Sequence, residues 1–339
     1  DGAIGTPPRL QLIREDILKS GKMNSWEADD YLQWYDAYDR FLKEKGFDKA
    51  FPTVDDLTRS MGNVSFYYQG RIIENIRISN TVDAYAVNGW ESMKLENHSG
   101  IVDNYRFPKG DPEVMARYNA PLYLAVKMNR KVVSTGDTTL VDTYIVNEKN
   151  LKGSYILNLV AKDESGNVVA SHKERVTVKG GNDYGQCLQS GWAFIPKSKG
   201  YTRIEASLLK GKTELVKGDD LLFAVELNTT GITTRGSVAD TTGALVNFLR
   251  GVGMEVPVYK GGTPEGDYLL VGAYEPTQWG SGMSDIMEWV YKGHTLIIVD
   301  NPERWAEFLA DKEVLDYRGS KILGKSWYGG NFFNREHPI

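Results

Sequence analysis

The apolar residues of this chain change rhythm twice, and that change bounds the fold more tightly than any other feature of the sequence. Up to about residue 80 they recur at steps of three and four. From about 121 to 217 they recur at steps of two, and from about 218 short apolar runs alternate with helical stretches. Side chains repeat every 3.6 residues on a helix and every second residue on a strand, so each rhythm commits its segment to a different kind of layer. The expected fold class is therefore multidomain, with α and β parts in succession: 1–112, 113–218 and 219–339.

The first part reads as helices. Pro7-Pro8 stands where a helix opens, Leu10, Ile13 and Ile17 form its apolar stripe, and Gly21 ends it. Asn24 with Glu27 is read as a capping box ahead of Tyr31, Trp34, Tyr35, Tyr38, Phe41 and Leu42. The opposite face carries Asp29, Asp30, Asp39, Arg40 and Lys43, which completes an amphipathic helix. Thr53 with Asp56 opens a third helix, and Ile72, Ile73 and Ile76 mark a fourth. Thr81 to Val87, small, β-branched and aromatic, reads as a buried strand, with Asn88-Gly89-Trp90-Glu91 at its C-terminal end. Pro108, Gly110 and Pro112 are expected to form a linker.

The middle part reads as strands at 122–126, 140–146, 155–160 and 203–208, with a turn cluster at Asp163-Glu-Ser-Gly-Asn167. Strands of this length with regular turns argue for an immunoglobulin-like β-sandwich. The last part reads as strands at 221–225, 268–272 and 295–299 and helices at 238–249, 283–291 and 302–309. Such alternation belongs to a parallel sheet covered on both faces.

Composition narrows the function. Lys and Arg total 40 against 45 Asp and Glu, giving a net charge of −5 and no basic stripe, so nucleic acid is not an expected partner. No apolar run has the roughly 18 residues of a membrane span, and no cofactor motif is present. The four histidines, His98, His172, His294 and His337, lack metal-ligand spacing, and the single Cys187 reads as a small core residue. The glycine-bearing segment 230–236 reads as an ordinary strand-to-helix turn, with an anion cradle as the alternative.

The informative stretch is 88–100. A barrel strand displays functional residues at its C-terminal end, and here that end carries Asn88, Trp90 and Glu91, followed by Glu96, Asn97 and His98. An indole offers a flat face to a sugar ring while Asn and Glu hydrogen-bond its hydroxyls, which makes Asn88, Trp90, Glu91, Glu96 and His98 the candidate substrate-binding residues. A core tryptophan beside a solvated acidic loop is the other reading of the same residues. A non-enzymatic carbohydrate-binding or scaffold protein is the alternative to an enzyme. It should expose aromatics on one sandwich face, for which Trp192 and Tyr201 are candidates, although both read as core.

Three segments carry a resemblance. Asp1-Gly-Ala-Ile-Gly-Thr-Pro-Pro-Arg-Leu10 resembles the stretch after the seventh barrel strand of β-galactosidase-like glycoside hydrolases of family 2 from Bacteroidetes-type bacteria. Asp83 to Ser92 resembles their eighth strand, and Leu95 to Asp103 the loop after it. The following sandwich is similar to their immunoglobulin-like domain. The last third, with Trp327 to Pro338, resembles an appended flavodoxin- or amidotransferase-like α/β domain. The resemblance implies the C-terminal end of a (β/α)8 barrel, with Trp90 on the sugar platform. It implies a retaining mechanism with two carboxylates about 5–5.5 Å apart. In that family the acid/base follows strand four, which this sequence does not contain, and the nucleophile ends strand seven. Asp1 adjoins the expected nucleophile position but departs from the usual Glu. The expectation is a C-terminal portion of a glycosidase, inactive alone, whose partners are carbohydrate and the N-terminal barrel strands of its own polypeptide. Periplasmic or cell-surface placement rests on the resemblance alone, and oligomerisation is left open.

Overall fold

The computed structural model describes residues 5–24, 27–87, 89–91, 100–226 and 231–314. The chain divides into two compact units at Val225/Glu226, both built of mixed α and β elements.

The first unit begins with three helices, α1 (Leu10–Ser20), α2 (Ala28–Lys45) and α3 (Val54–Ser79). Leu10, Ile13 and Ile17 of α1 pack with Tyr31 and Leu42 of α2 and Val54 and Leu57 of α3, as the spacing predicts. Gly21 and Gly46 end the first two helices in the left-handed conformation, each returning its amide to the last turn. Thr53 caps α3: its hydroxyl accepts the Asp56 amide while the Asp56 carboxylate accepts the Thr53 amide. Two expectations change here. Glu27, in a left-handed conformation and without a side-chain cap, precedes α2, so the Asn24–Glu27 capping box does not form. Ile72, Ile73 and Ile76 lie in α3 itself, because nothing in its 26 residues interrupts the ladder.

Thr81–Val87 is not a strand. It runs as irregular chain with Val82 and Tyr85 exposed. A strand needs a neighbour to take its amides and carbonyls, and none pairs with this segment among the described residues. The expected linker at 108–112 also changes, because Pro112 opens a short helix, α4 (Pro112–Tyr118), capped by the Asp111 carboxylate on the Glu113 amide.

Two sheets follow. One has the order β1-β3-β6, from Leu122–Met128, Thr139–Asn147 and Gly185–Phe194. The other has the order β2-β8-β7-β4-β5, from Val132–Ser134, Thr213–Val225, Gly200–Lys210, Gly153–Lys162 and Val168–Val178. All pairings are antiparallel except β2 with β8. Leu124, Val141, Ile145 and Phe194 of the first sheet share one core with Leu157, Leu159, Ile204, Leu208 and Leu222 of the second. Leu221–Val225, expected to start the last part, is the end of β8. Cys187 is exposed on β6 rather than buried, and Tyr201 is exposed on β7. Trp192 is half-buried against the core and stacks on His172.

Helix α3 is bound to the sheets through charge. Glu74, fully buried, takes Tyr123 Oη at 2.7 Å, Arg71 at 3.0 Å and Lys127 Nζ at 3.3 Å. Arg71 also reaches Asp220 at 3.0 Å. Each buried charge has opposite charges or donors around it, the condition under which burial is tolerated.

The second unit holds a parallel sheet of β9 (Gly236–Ala239), β10 (Tyr268–Val271) and β11 (Thr295–Ile298), with helices α5 (Ala244–Gly251), α6 (Gly282–Tyr291) and α7 (Pro302–Asp311). Leu269, Val271, Ile286, Trp289 and Trp305 form its core. The expected helix at 238–249 begins only at Ala244, because Val238 and Ala239 belong to β9. The glycine-bearing segment therefore leads into strand β9, which begins at Gly236, and not into a helix.

Candidate functional site

Of the sequence-derived candidates, Trp90 and Glu91 fall within the described residues. Asp1, Asn88, Glu96 and His98 lie outside them, as does the segment Trp327 to Pro338. Trp90 is 63% exposed, so it is not a core residue. Its carbonyl accepts the amides of Ile101 and Val102 at 3.0 and 3.1 Å. Glu91 bridges to Val102, which in turn bridges to Pro108. The Glu91 carboxylate meets the Arg106 guanidinium at 2.5 Å. The site thus presents an open indole face beside a carboxylate–guanidinium pair.

The rigidity of this site comes from the segment behind it. Asp103 is fully buried. One carboxylate oxygen accepts the Arg9 amide at 3.1 Å; the other accepts the Tyr105 and Phe107 amides at 2.9 and 3.1 Å. Burial pushes the Asp103 carboxyl above its ordinary value, against those three amides and the Lys109 charge, which pull it down. The tight turn that Asp103 organises holds Arg106 in a left-handed conformation (φ 68°), which aims its side chain at Glu91. Lys109, also fully buried, donates to the Thr6 carbonyl at 3.2 Å. Gly62 of α3 lets the chain pass: a Cβ there would stand 1.8 Å from the Lys109 carbonyl oxygen. Tyr31 and Tyr105 meet edge to face at 5.6 Å, and burial with nearby carboxylates raises the Tyr31 hydroxyl well above the usual phenol range.

Arg106 and Arg9 were not singled out in the sequence. Arg106 acts through a positive-φ turn that only the Asp103 hydrogen bonds create, and no spacing marks it. Asp103, the last residue of the Leu95–Asp103 resemblance, was the one available signal.

Glu91 is committed to Arg106 and Asp103 to three amides. Among the described residues here there is no second free carboxylate to complete an acid/base–nucleophile pair. No group of three or more His, Cys, Asp or Glu side chains among the described residues could hold a metal ion, and no helix among them is long and apolar enough to cross a membrane.

No family model and no curated protein matches the chain. Solved structures overlap it only in part. A β-D-mannosidase from Dictyoglomus thermophilum matches at 13% identity and TM-score 0.37, over 48% of this chain and 19% of that one. A glycosyl hydrolase family 2 member from Bacteroides cellulosilyticus matches at 12% identity and TM-score 0.25, over 56% and 29%. A β-glucuronidase from glycoside hydrolase family 2 matches at 14% identity and TM-score 0.24, over 30% and 11%. The chain spans between about a tenth and three tenths of the length of these neighbours. They are glycoside hydrolases, but overlaps of this size assign neither a fold nor a family.

Proposed function

We propose that this chain supplies part of the sugar-binding face of a retaining glycoside hydrolase of the β-galactosidase-like family 2 type, acting on plant or host oligosaccharide or polysaccharide. The observation that supports it is the segment 81–91. A β-branched, aromatic stretch that pairs with no strand among the described residues precedes an exposed tryptophan whose carbonyl is anchored by two amides. Such a stretch is the edge on which neighbouring barrel strands would pair. Trp90 would then stack on the sugar ring, and Glu91 with Arg106 would bond its hydroxyls. Asn88, Glu96 and His98 belong to the same proposed surface. The carboxylate pair that cleaves the bond would come from barrel strands outside this chain, so the 339 residues alone bind but do not hydrolyse. Placement in the periplasm or at the cell surface is part of the same proposal.

The test is an assay of the purified chain on aryl β-galactosides, β-mannosides and β-glucuronides. No turnover is expected. Turnover that disappears in Trp90→Ala would overturn the proposal, because the chemistry would then lie in this chain. A non-enzymatic carbohydrate-binding protein is the second reading. It is favoured by the openness of Trp90 with no carboxylate pair beside it, and it predicts glycan binding that no added barrel segment converts to turnover.

A further inference from the structure

The outward face of the five-stranded sheet carries a groove that the Trp90 site does not involve. The register places Asp219, Glu205 and Val160 side by side across β8, β7 and β4, and Lys217, Ser207 and Asn158 in the next row. Lys162 and Arg203 stand opposite one another in the row on the other side. Together they line a cavity of about 460 Å³. A second cavity of about 310 Å³, lined by Arg117, Tyr67 and Glu113, shares Arg203 and Asp219 with it. One residue pair beyond Arg203 the same face turns aromatic. Tyr201, 53% exposed, lies against Phe223 with ring centroids 4.7 Å apart.

The charges in the groove cancel. Lys162, Arg203 and Lys217 face Glu205, Glu214 and Asp219, three of each sign. Two of the three acids are held in ion pairs: Lys162 Nζ reaches Glu205 at 2.7 Å, and Asp219 lies between the guanidiniums of Arg203 and Arg117. Beneath them buried Asp220 is held by Lys131 and Arg71. A lining whose charges balance in sign, two of its acids paired, disfavours a ligand of strong net charge of either sign. It still offers many spare donors and acceptors in fixed places. An adjoining aromatic face adds an apolar platform. A ligand that is neutral, dense in hydroxyls and flat on its C–H face meets all three conditions.

We infer that this groove binds a neutral oligosaccharide, with Tyr201 under one sugar ring and Arg203, Glu205, Asn158 and Asp219 bonding the hydroxyls of the next. The inference rests on the sheet alone and stands whether or not the Trp90 site belongs to a hydrolase.

Affinity electrophoresis of the full chain in gels containing soluble xylan, galactan, glucomannan or polygalacturonate tests it. The expected result is retardation by at least one of the three neutral polysaccharides. Tyr201→Ala should weaken it by about tenfold, in the Trp90→Ala background as well as in the otherwise unchanged chain, and Tyr201→Phe should preserve it. Glu205→Ala, two rows along the same face of β7, gives the same reading if Tyr201→Ala disturbs the fold by circular dichroism. Absence of retardation in every neutral gel overturns the inference. So does retardation by polygalacturonate alone, or retardation that survives both Tyr201→Ala and Glu205→Ala. Retardation lost only in Trp90→Ala assigns the sugar to the other site and overturns this one.

Discussion

Arg9 holds Asp55 by two points at once: its Nε lies 2.7 Å from one carboxylate oxygen and a terminal nitrogen 2.6 Å from the other, while its remaining nitrogen donates to the Pro108 carbonyl at 3.0 Å. One side chain thereby joins the start of α1, the first turn of α3 and the segment just after the turn that carries Arg106, the partner of Glu91. Both partners are largely shielded from water, so the fork-to-fork geometry is worth more than an exposed pair. Arg9→Met is expected to lower stability by about 2 kcal/mol, the range for hydrogen bonds to charged groups. Urea denaturation followed by tryptophan fluorescence measures it. Arg9→Lys should recover less than half, because an ammonium cannot bond both oxygens and Pro108 together.

Gly62→Ala is the sharper test of the same region. The added methyl meets the Lys109 carbonyl oxygen, which is backbone and cannot rotate away. A loss of at least about 2 kcal/mol in the same denaturation experiment is expected. A neutral result would mean that 108–111 does not pass against α3 as described.

Asp103 gives a pH signature with a definite sign. Its carboxyl is raised from the ordinary 3.8 by burial. Between that value and the raised one, the folded chain holds a proton that the unfolded chain has released, so this group's contribution falls as pH rises through the window. Asp103→Asn removes the titration. Whatever constant penalty the amide brings, the gap between variant and wild type should narrow in the variant's favour as pH climbs through the window. Urea midpoints of both proteins from about pH 3 to 7 give the comparison. A gap that widens with pH would contradict the burial argument.

Cys187 is open on β6, but partial burial first and the Asp142 carboxylate second push its thiol up. Iodoacetamide should therefore alkylate the native protein to completion, yet more slowly at pH 8 than a free thiol such as glutathione, since the thiolate is the nucleophile. A thiol that reacts only after urea unfolding would return Cys187 to the core.

Removing the α3 cap tests a local reading. Thr53→Ala leaves the Asp56 amide without its acceptor and is expected to cost about 1 kcal/mol, with Thr53→Ser close to neutral.

Legibility from sequence followed the range of the forces involved. The stripe Leu10, Ile13, Ile17 and the pairing of Thr53 with Asp56 were readable because helix contacts lie three and four residues apart. Four of the eight strands of the two facing sheets, β1, β3, β4 and β7, are readable at period two, whereas β2, β5 and β6 are not marked in the sequence. Thr81–Val87 misled because its composition describes a strand while strandedness depends on a neighbour. Leu221–Val225 misled because an apolar run does not state which sheet it ends in. At the candidate site, Trp90 and Glu91 were visible as residue types. Arg9 and Arg106 carry no such mark: Arg9 acts through Asp103 and Asp55, 94 and 46 residues away, and Arg106 through its pairing with Glu91. The Tyr201 groove was half visible: the aromatic was noted, but its exposure and the neutralised rows beside it follow from register alone.

The three residues of β2 pair with the last three of β8, Val132 opposite Phe223 and Ser134 opposite Val225. Those partners are 223 − 132 = 91 positions apart. A ribosome adding about 5–20 residues per second would leave β2 without its neighbour for on the order of ten seconds. The second sheet gains its outer strand only when nearly all of the first unit has been synthesised. A nascent chain of this protein therefore carries an unpaired β2 for roughly a quarter of its synthesis, 91 of 339 residues, and chaperone occupancy or aggregation during that interval is expected to track how quickly residues 213–225 arrive.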